Sequence, residues 1–166
     1  MSKQTRNNES GDFVIKSGSV VNPDGVRRAD VRVSGGMITE VGENLDGQNV
    51  LDASGLLVSS GFVDLHTHLR EPGREEAETV ETGSRAAARG GYTAVVAMPN
   101  TDPAQDSVHI VRFVREQGRR AGLVDVHPAG CITVGREGRQ LAPYASLAAE
   151  GVRIFTDDGN GVQDPL

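Results

Sequence analysis

Tryptophan is absent from this 166-residue chain, and aromatic residues make up only 4% of it. Cysteine occurs once, at Cys131, so no intramolecular disulfide can form, and the usage fits a reducing cytoplasm. Cys131 follows an apolar run and reads as a packed thiol rather than a nucleophile. No apolar run reaches the roughly 20 residues of a membrane span, and the N-terminal residues lack the apolar centre of a secretory signal. Positive charge is not in excess either. A net charge of −6 with no basic run or RNA-binding motif argues against a nucleic-acid surface. What abounds is glycine, at 21 residues, as in a fold of tight turns and small-residue packing. The length suits one domain, or two small ones.

Residues 1–11 are polar and read as a disordered tail. Residues 12–60 carry short strand patterns and turns, with no helical period. Phe13–Ile15 and Ser19–Val21 are strand candidates, and Asn22-Pro23-Asp24-Gly25 is a turn signal. Asp30–Val33, the turn Ser34-Gly35-Gly36 and Met37–Val41 form an expected hairpin. Val50–Asp52 and Leu56–Val58 are two further short strands. From Gly61 the pattern changes to strands alternating with helices. Phe62–Leu65 predicts a strand, and residues 75–89 a helix with Glu75, Glu76 and Glu78 in its first turn. Its inner face would hold Ala77, Val80, Ser84, Ala87 and Ala88. Tyr92–Ala97 predicts a second strand, and a helix capped by Asp106 or Ser107 follows. A third strand begins at Leu123 and is expected to continue past Pro128 to Ile132. Pro143 opens a third helix that ends at Gly151, and Val152–Phe155 predicts a fourth strand. This alternation indicates parallel β–α–β units, in a doubly wound sheet or a barrel. The glycine-rich phosphate loop of a nucleotide-binding sheet is absent. Polar motifs fall at the C-terminal ends of the strands, where barrel enzymes place their chemistry.

The densest chemistry lies in Asp64-Leu65-His66-Thr67-His68-Leu69-Arg70. Alternation along a strand puts His66 and His68 on one side, where two imidazoles can ligate one divalent metal. Thr67 points away from them. Arg70 continues the alternation, and its planar guanidinium suits a carboxylate. Glu71 could orient it. Taken alone, a His-x-His pair reads better as a polar strand edge. Asp157-Asp158-Gly159-Asn160-Gly161 reads by composition as a solvated turn, and Asn100 as part of a proline-flanked turn. A carboxylate near Asp158 could instead bridge two metal ions about 3.5–4 Å apart. His109 reads as a surface residue, His127 as a packed or hydrogen-bonded one. The arginines of the second helix read as a solvated face.

Three motifs in order, Asp64–Arg70, Met98-Pro99-Asn100-Thr101 and Phe155-Thr156-Asp157-Asp158-Gly159, resemble the dihydroorotases of the amidohydrolase superfamily. The resemblance implies the first half of a (β/α)8 TIM-type barrel over residues 61–166, preceded by a small β-sandwich segment over 12–60. It implies a zinc-dependent cyclic amidase that interconverts dihydroorotate and N-carbamoyl-L-aspartate in pyrimidine biosynthesis. Two zinc ions would activate a water between them. His66, His68 and Asp158 would hold metal, with Asp158 in the bridging place that many relatives give to a carboxylated lysine. His68, Arg70 and Asn100 would contact substrate. The family's later histidines, and the aspartate that serves as general acid/base, are expected beyond Leu166. The chain therefore reads as an N-terminal part, inactive alone. A homodimer and an association with aspartate carbamoyltransferase are the partner expectations. A related allantoinase or dihydropyrimidinase, and a non-catalytic subunit of this family, are the alternatives.

Overall fold

The structure, a computed structural model, describes residues 11–162. The polar N-terminal tail lies almost wholly outside those residues. The chain divides between Ser60 and Gly61 into two compact units.

The first unit is one five-stranded sheet. β1 (Phe13–Asn22) and β2 (Gly25–Ser34) form a hairpin across Pro23-Asp24, and β3 (Met37–Gly42) pairs antiparallel with β2. β4 (Val50–Asp52) and β5 (Leu57–Val58) run parallel to β1. The two strand candidates at 13–15 and 19–21 are thus one strand. A bulge between Ile15 and Gly18 interrupts it, with Ser17 at φ 63°. Asp30 holds the bulge: its carboxylate accepts from Ser17 N at 2.7 Å and from Leu45 N at 2.9 Å. The Ser17 N–H is also the main reason its carboxyl sits below the ordinary aspartate range. Val20, Ala29 and Val31 form the small core, with Ile15 and Val58 packed on it. The described residues of this unit form no second sheet of the kind a sandwich would need.

The second unit carries a parallel sheet in the order β6-β7-β8. β6 is Phe62–Thr67, β7 Tyr92–Ala97 and β8 Asp125–Pro128. α1 (Val80–Arg89) connects the first pair and α2 (Val108–Ala121) the second. Leu69, Val80, Val95, Ala97, Val114, Val124 and Val126 make the core between sheet and helices. α3 (Tyr144–Ala149) sets Leu147 into a second cluster with Val111, Cys131, Ala142 and Val152. No helix among the described residues is long and apolar enough to cross a membrane.

Several expectations shift. α1 begins at Val80 because Thr79 and Thr82 cap each other, with Thr82 N donating to Thr79 Oγ1 and Thr79 N to Thr82 Oγ1. Glu75, Glu76 and Glu78 precede the helix, and Glu75 instead accepts from Gly73 N. The buried face is Val80, Gly83 and Ser84 with Ala87 partly buried, while Ala77 and Ala88 are exposed. β8 stops at Pro128 rather than Ile132. Val152–Phe155 forms no strand: a single parallel bridge joins Phe155 to Gly130. The ladder cannot continue, because Ile132 N and Thr133 N donate to the Asp157 carboxylate instead. Ser107 is the N-cap residue of α2 but makes no side-chain cap bond, and Asp106 accepts from Gly135 N. The helix's arginine face is not purely solvated either, since Arg112 pairs with Glu150.

α2 approaches β8 at Gly118, where an added Cβ would lie 2.5 Å from Val126 Cβ. Helix propensity favours alanine there by about 1 kcal/mol, but overpacking a core costs about 1–3 kcal/mol. Val126 cannot swing aside, because the clash is with its β-carbon on a paired strand. Gly118→Ala should therefore lower stability by about 1–2 kcal/mol, read as a lower urea midpoint. A higher midpoint would mean the helix has room to move.

Candidate metal centre

Strand alternation and a local turn place the histidines. Asp64 Oδ1 accepts from His66 N at 3.0 Å, bending the end of β6. Thr67, the last residue of the strand, turns the other way and donates from Oγ1 to Val96 O at 2.8 Å. His66 and His68 therefore share a side, their ring centroids 5.2 Å apart and edge-on. The third group arrives from the segment after Phe155. His66 Nε2 lies 3.0 Å from Asp158 Oδ1, and His68 Nδ1 lies 3.9 Å from Asp158 Oδ2. One ligand atom from each of the three residues falls within 4.8 Å of the others.

The donor set suits a divalent ion. Two imidazole nitrogens and a carboxylate oxygen are ordinary zinc ligands, with metal–ligand bonds of about 2.0–2.2 Å. Bonds of that length in tetrahedral geometry separate the ligand atoms by roughly 3.3–3.6 Å, and His66 Nε2 and Asp158 Oδ1 stand 3.0 Å apart. Asn100 refines the arrangement, because its Oδ1 lies 2.9 Å from His68 Nδ1. A carbonyl oxygen only accepts, so Nδ1 carries the proton and Nε2 is left with the lone pair that a metal needs. The Asp158 side chain is 11% exposed and that of His66 61%. The cluster is therefore buried on the carboxylate side and open on the imidazole side, where a small molecule can reach it.

The two adjacent aspartates have separate duties. Asp157 is buried, and its carboxylate accepts from Ile132 N at 2.8 Å, Thr133 N at 3.0 Å and the Thr133 hydroxyl. Asp158 turns its carboxylate to the histidines. Its backbone stands at φ 36°, with N donating to Thr156 Oγ1. Neither belongs to a solvated turn.

Other expected residues fall differently. Arg70 does not continue the alternation: β6 has ended, and Arg70 sits at φ 57°. It is half-buried, and its guanidinium makes no hydrogen bond among the described residues. Asn100 meets His68 through its Oδ1. Glu71 does not orient Arg70; it is buried and accepts from Val80 N at 2.7 Å and Gln117 Nε2 at 2.6 Å, tying α1 to α2. His109 is exposed, and so is His127, which is not packed. Cys131 is fully buried, and burial pushes its thiol up to about 12, which makes it inert. Sequence reasoning passed over Thr133 and Arg136, which brace the aspartates from Thr133-Val134-Gly135-Arg136, and over the bond from Asn160 to Arg136 O. The glycines on either side made that stretch look like an ordinary loop.

Residues 55–165 match the family described as dihydro-orotase-like. The dihydroorotase of Mycobacterium tuberculosis is 53% identical over 144 residues, which is 84% of this chain and 34% of that protein. The dihydroorotase of Bacillus subtilis is 46% identical over 154 residues, 91% of this chain and 36% of its own length. The chain thus spans about a third of the length of the curated relatives it matches. Among solved structures, the L-hydantoinase (dihydropyrimidinase) from Arthrobacter aurescens superposes with a TM-score of 0.72 at 24% identity, covering 87% of this chain and 32% of the other. A D-hydantoinase from a Thermus species superposes at 0.62 with 25% identity, covering 83% and 30%.

Proposed function

Because this chain belongs to the dihydro-orotase-like family, we propose that it supplies part of the active site of a dihydroorotase. That enzyme interconverts dihydroorotate and N-carbamoyl-L-aspartate, a step of pyrimidine biosynthesis in the cytoplasm. The observation that carries the reading is the convergence of His66, His68 and Asp158 within 4.8 Å. We read residues 61–166 as the first half of a (β/α)8 barrel, and 12–60 as one contribution to a β-sandwich. His66 and His68 would hold zinc through ring nitrogens and Asp158 through its carboxylate. Zinc there supplies Lewis-acid polarisation of a carbonyl and activates water at neutral pH. Asn100 keeps His68 in the tautomer with Nε2 available, and its amide N–H can still donate to a substrate carboxylate. The remaining ligands, a second zinc and the general acid/base are assigned to residues beyond this stretch. A homodimer or a complex with aspartate carbamoyltransferase is compatible with the reading, and the described residues carry no observation that selects either.

The test is a zinc determination together with an assay of dihydroorotate, allantoin, hydantoin and dihydrouracil. Zinc-dependent cleavage of dihydroorotate in preference to the neutral rings is the expected result. Preference for a neutral ring would make the protein a relative of the hydantoinases instead.

Arg70 sharpens this distinction. It lies half-buried two residues after His68, with no hydrogen-bonding partner of its own among the described residues. Arg70→Met should weaken dihydroorotate binding by about 2–3 kcal/mol, the cost of leaving a carboxylate without its charged partner. Measured as KM, that is roughly 30–150-fold. A neutral ring should change little, and equal losses for both would remove Arg70 from the carboxylate site.

A further inference from the structure

Resting on the metal-centre reading above, we propose that Arg136 is the positioning residue of the centre: its guanidinium aims Asp158 and so sets how tightly the metal is held. Arg136 ends the single 3-10 turn Val134–Arg136. Gly135 at φ 60° and Arg136 at φ 59° are two left-handed residues in succession, and they turn the arginine back towards the aspartates. Asn160 Nδ2 donates to Arg136 O at 2.9 Å and fixes the turn. Arg136 Nε then donates to Asp157 O at 2.9 Å and Nη2 to Asp158 O at 2.5 Å.

Those two carbonyls belong to the peptide planes on either side of the Asp158 α-carbon. One rigid fork holding both planes fixes the φ and ψ of Asp158, and with them the direction of its Cα–Cβ bond. Such control is needed, because Asp158 stands at φ 36°, a conformation costly for any residue with a β-carbon. The cation grips backbone and leaves the carboxylate, so Asp158 remains able to face His66 at 3.0 Å. The loop itself is already secured, since the Asp157 carboxylate holds Ile132 and Thr133. What remains for Arg136 is aim.

The experiment compares the purified protein with Arg136→Gly, Arg136→Lys and Asn160→Ala. Zinc affinity is measured by competition with a chromophoric chelator, and the d–d spectrum of the cobalt form is recorded. Glycine accepts the left-handed backbone at 136 without strain, so the fork is removed and the turn is kept. Arg136→Gly should bind zinc about 10–100-fold more weakly, the usual cost of losing a group that orients a metal ligand. Its cobalt spectrum should shift, and its metal-free unfolding midpoint should stay near wild type. Arg136→Lys should fall between the two, because an ammonium holds one carbonyl but cannot span both. Asn160→Ala should show the same change in weaker form, and it serves as the test if Arg136→Gly fails to fold. Wild-type zinc affinity and an unshifted spectrum in the folded variants would overturn the positioning role and leave the metal centre standing. A wild-type protein that binds no zinc would overturn the metal centre, and this proposal with it.

Discussion

Asp158→Asn will leave a folded protein that has lost most of its metal and nearly all of its turnover. Among the described residues the carboxylate makes no structural hydrogen bond: its neighbours are the two imidazoles at 3.0 and 3.9 Å. What holds this residue in place is its backbone, through Thr156 and Arg136. Asparagine keeps the size and tolerates the positive φ better than most residues, so the turn survives. What disappears is the negative charge that makes the side chain a ligand. Metal activation is worth several kcal/mol, so the rate of dihydroorotate cleavage should drop by about 10³-fold or more. Zinc content by elemental analysis should fall in parallel, and the unfolding midpoint should move by no more than a few degrees. Full zinc content with activity near wild type would remove Asp158 from the centre.

One residue earlier the outcome reverses. Asp157→Ala should unfold the second unit at markedly lower temperature. The buried carboxylate satisfies two backbone N–H groups and a hydroxyl. Removing it leaves those donors buried without an acceptor, each at about 1–3 kcal/mol and not fully additive. A net loss of about 3–5 kcal/mol is expected, a large share of the roughly 5–15 kcal/mol that holds a domain folded. The melting temperature should fall by roughly 10 °C or more. Asp157→Asn should lie between the two, since its Oδ1 can still accept from Ile132 and Thr133. A melting curve for Asp157→Ala that overlays wild type would show that water replaces the carboxylate at no cost.

These two aspartates also mark how far the sequence could be read. His66 and His68 were legible because their two-residue spacing at a strand end puts them on one side. Asp157 and Asp158 share composition and neighbours, and only resemblance separated them. Their difference comes from the left-handed backbone at Asp158, which no residue pattern announces. Strand alternation does not extend to Arg70 for a related reason: β6 ends at Thr67, and φ changes sign at Arg70. The start of α1 was obscured by Glu75, Glu76 and Glu78, which imitate a first turn, whereas a pair of threonines decides it. Val152–Phe155 has strand composition, yet whether it can pair depends on where Ile132 and Thr133 send their N–H groups. That choice is made by Asp157, distant in sequence. Glu71 read as a partner for its neighbour Arg70, but its partners are Val80 and Gln117 on the two helices.

The histidines and Asp158 stand on supports of different kinds. β6 belongs to a hydrogen-bonded ladder, whereas the segment before Asp158 makes a single bridge to Gly130, past the end of β8. In native-state hydrogen exchange such regions open with separate free energies: a ladder opens close to globally, a strapped loop more cheaply. An ion shared by the two must be released before the loop can open. Its binding energy therefore adds to the local stability of residues 152–160 as RT ln(1 + [M]/Kd), about 2.7 kcal/mol at a hundredfold excess over Kd. Metal supply would then govern the lifetime of this loop against proteases as well as the chemistry it supports.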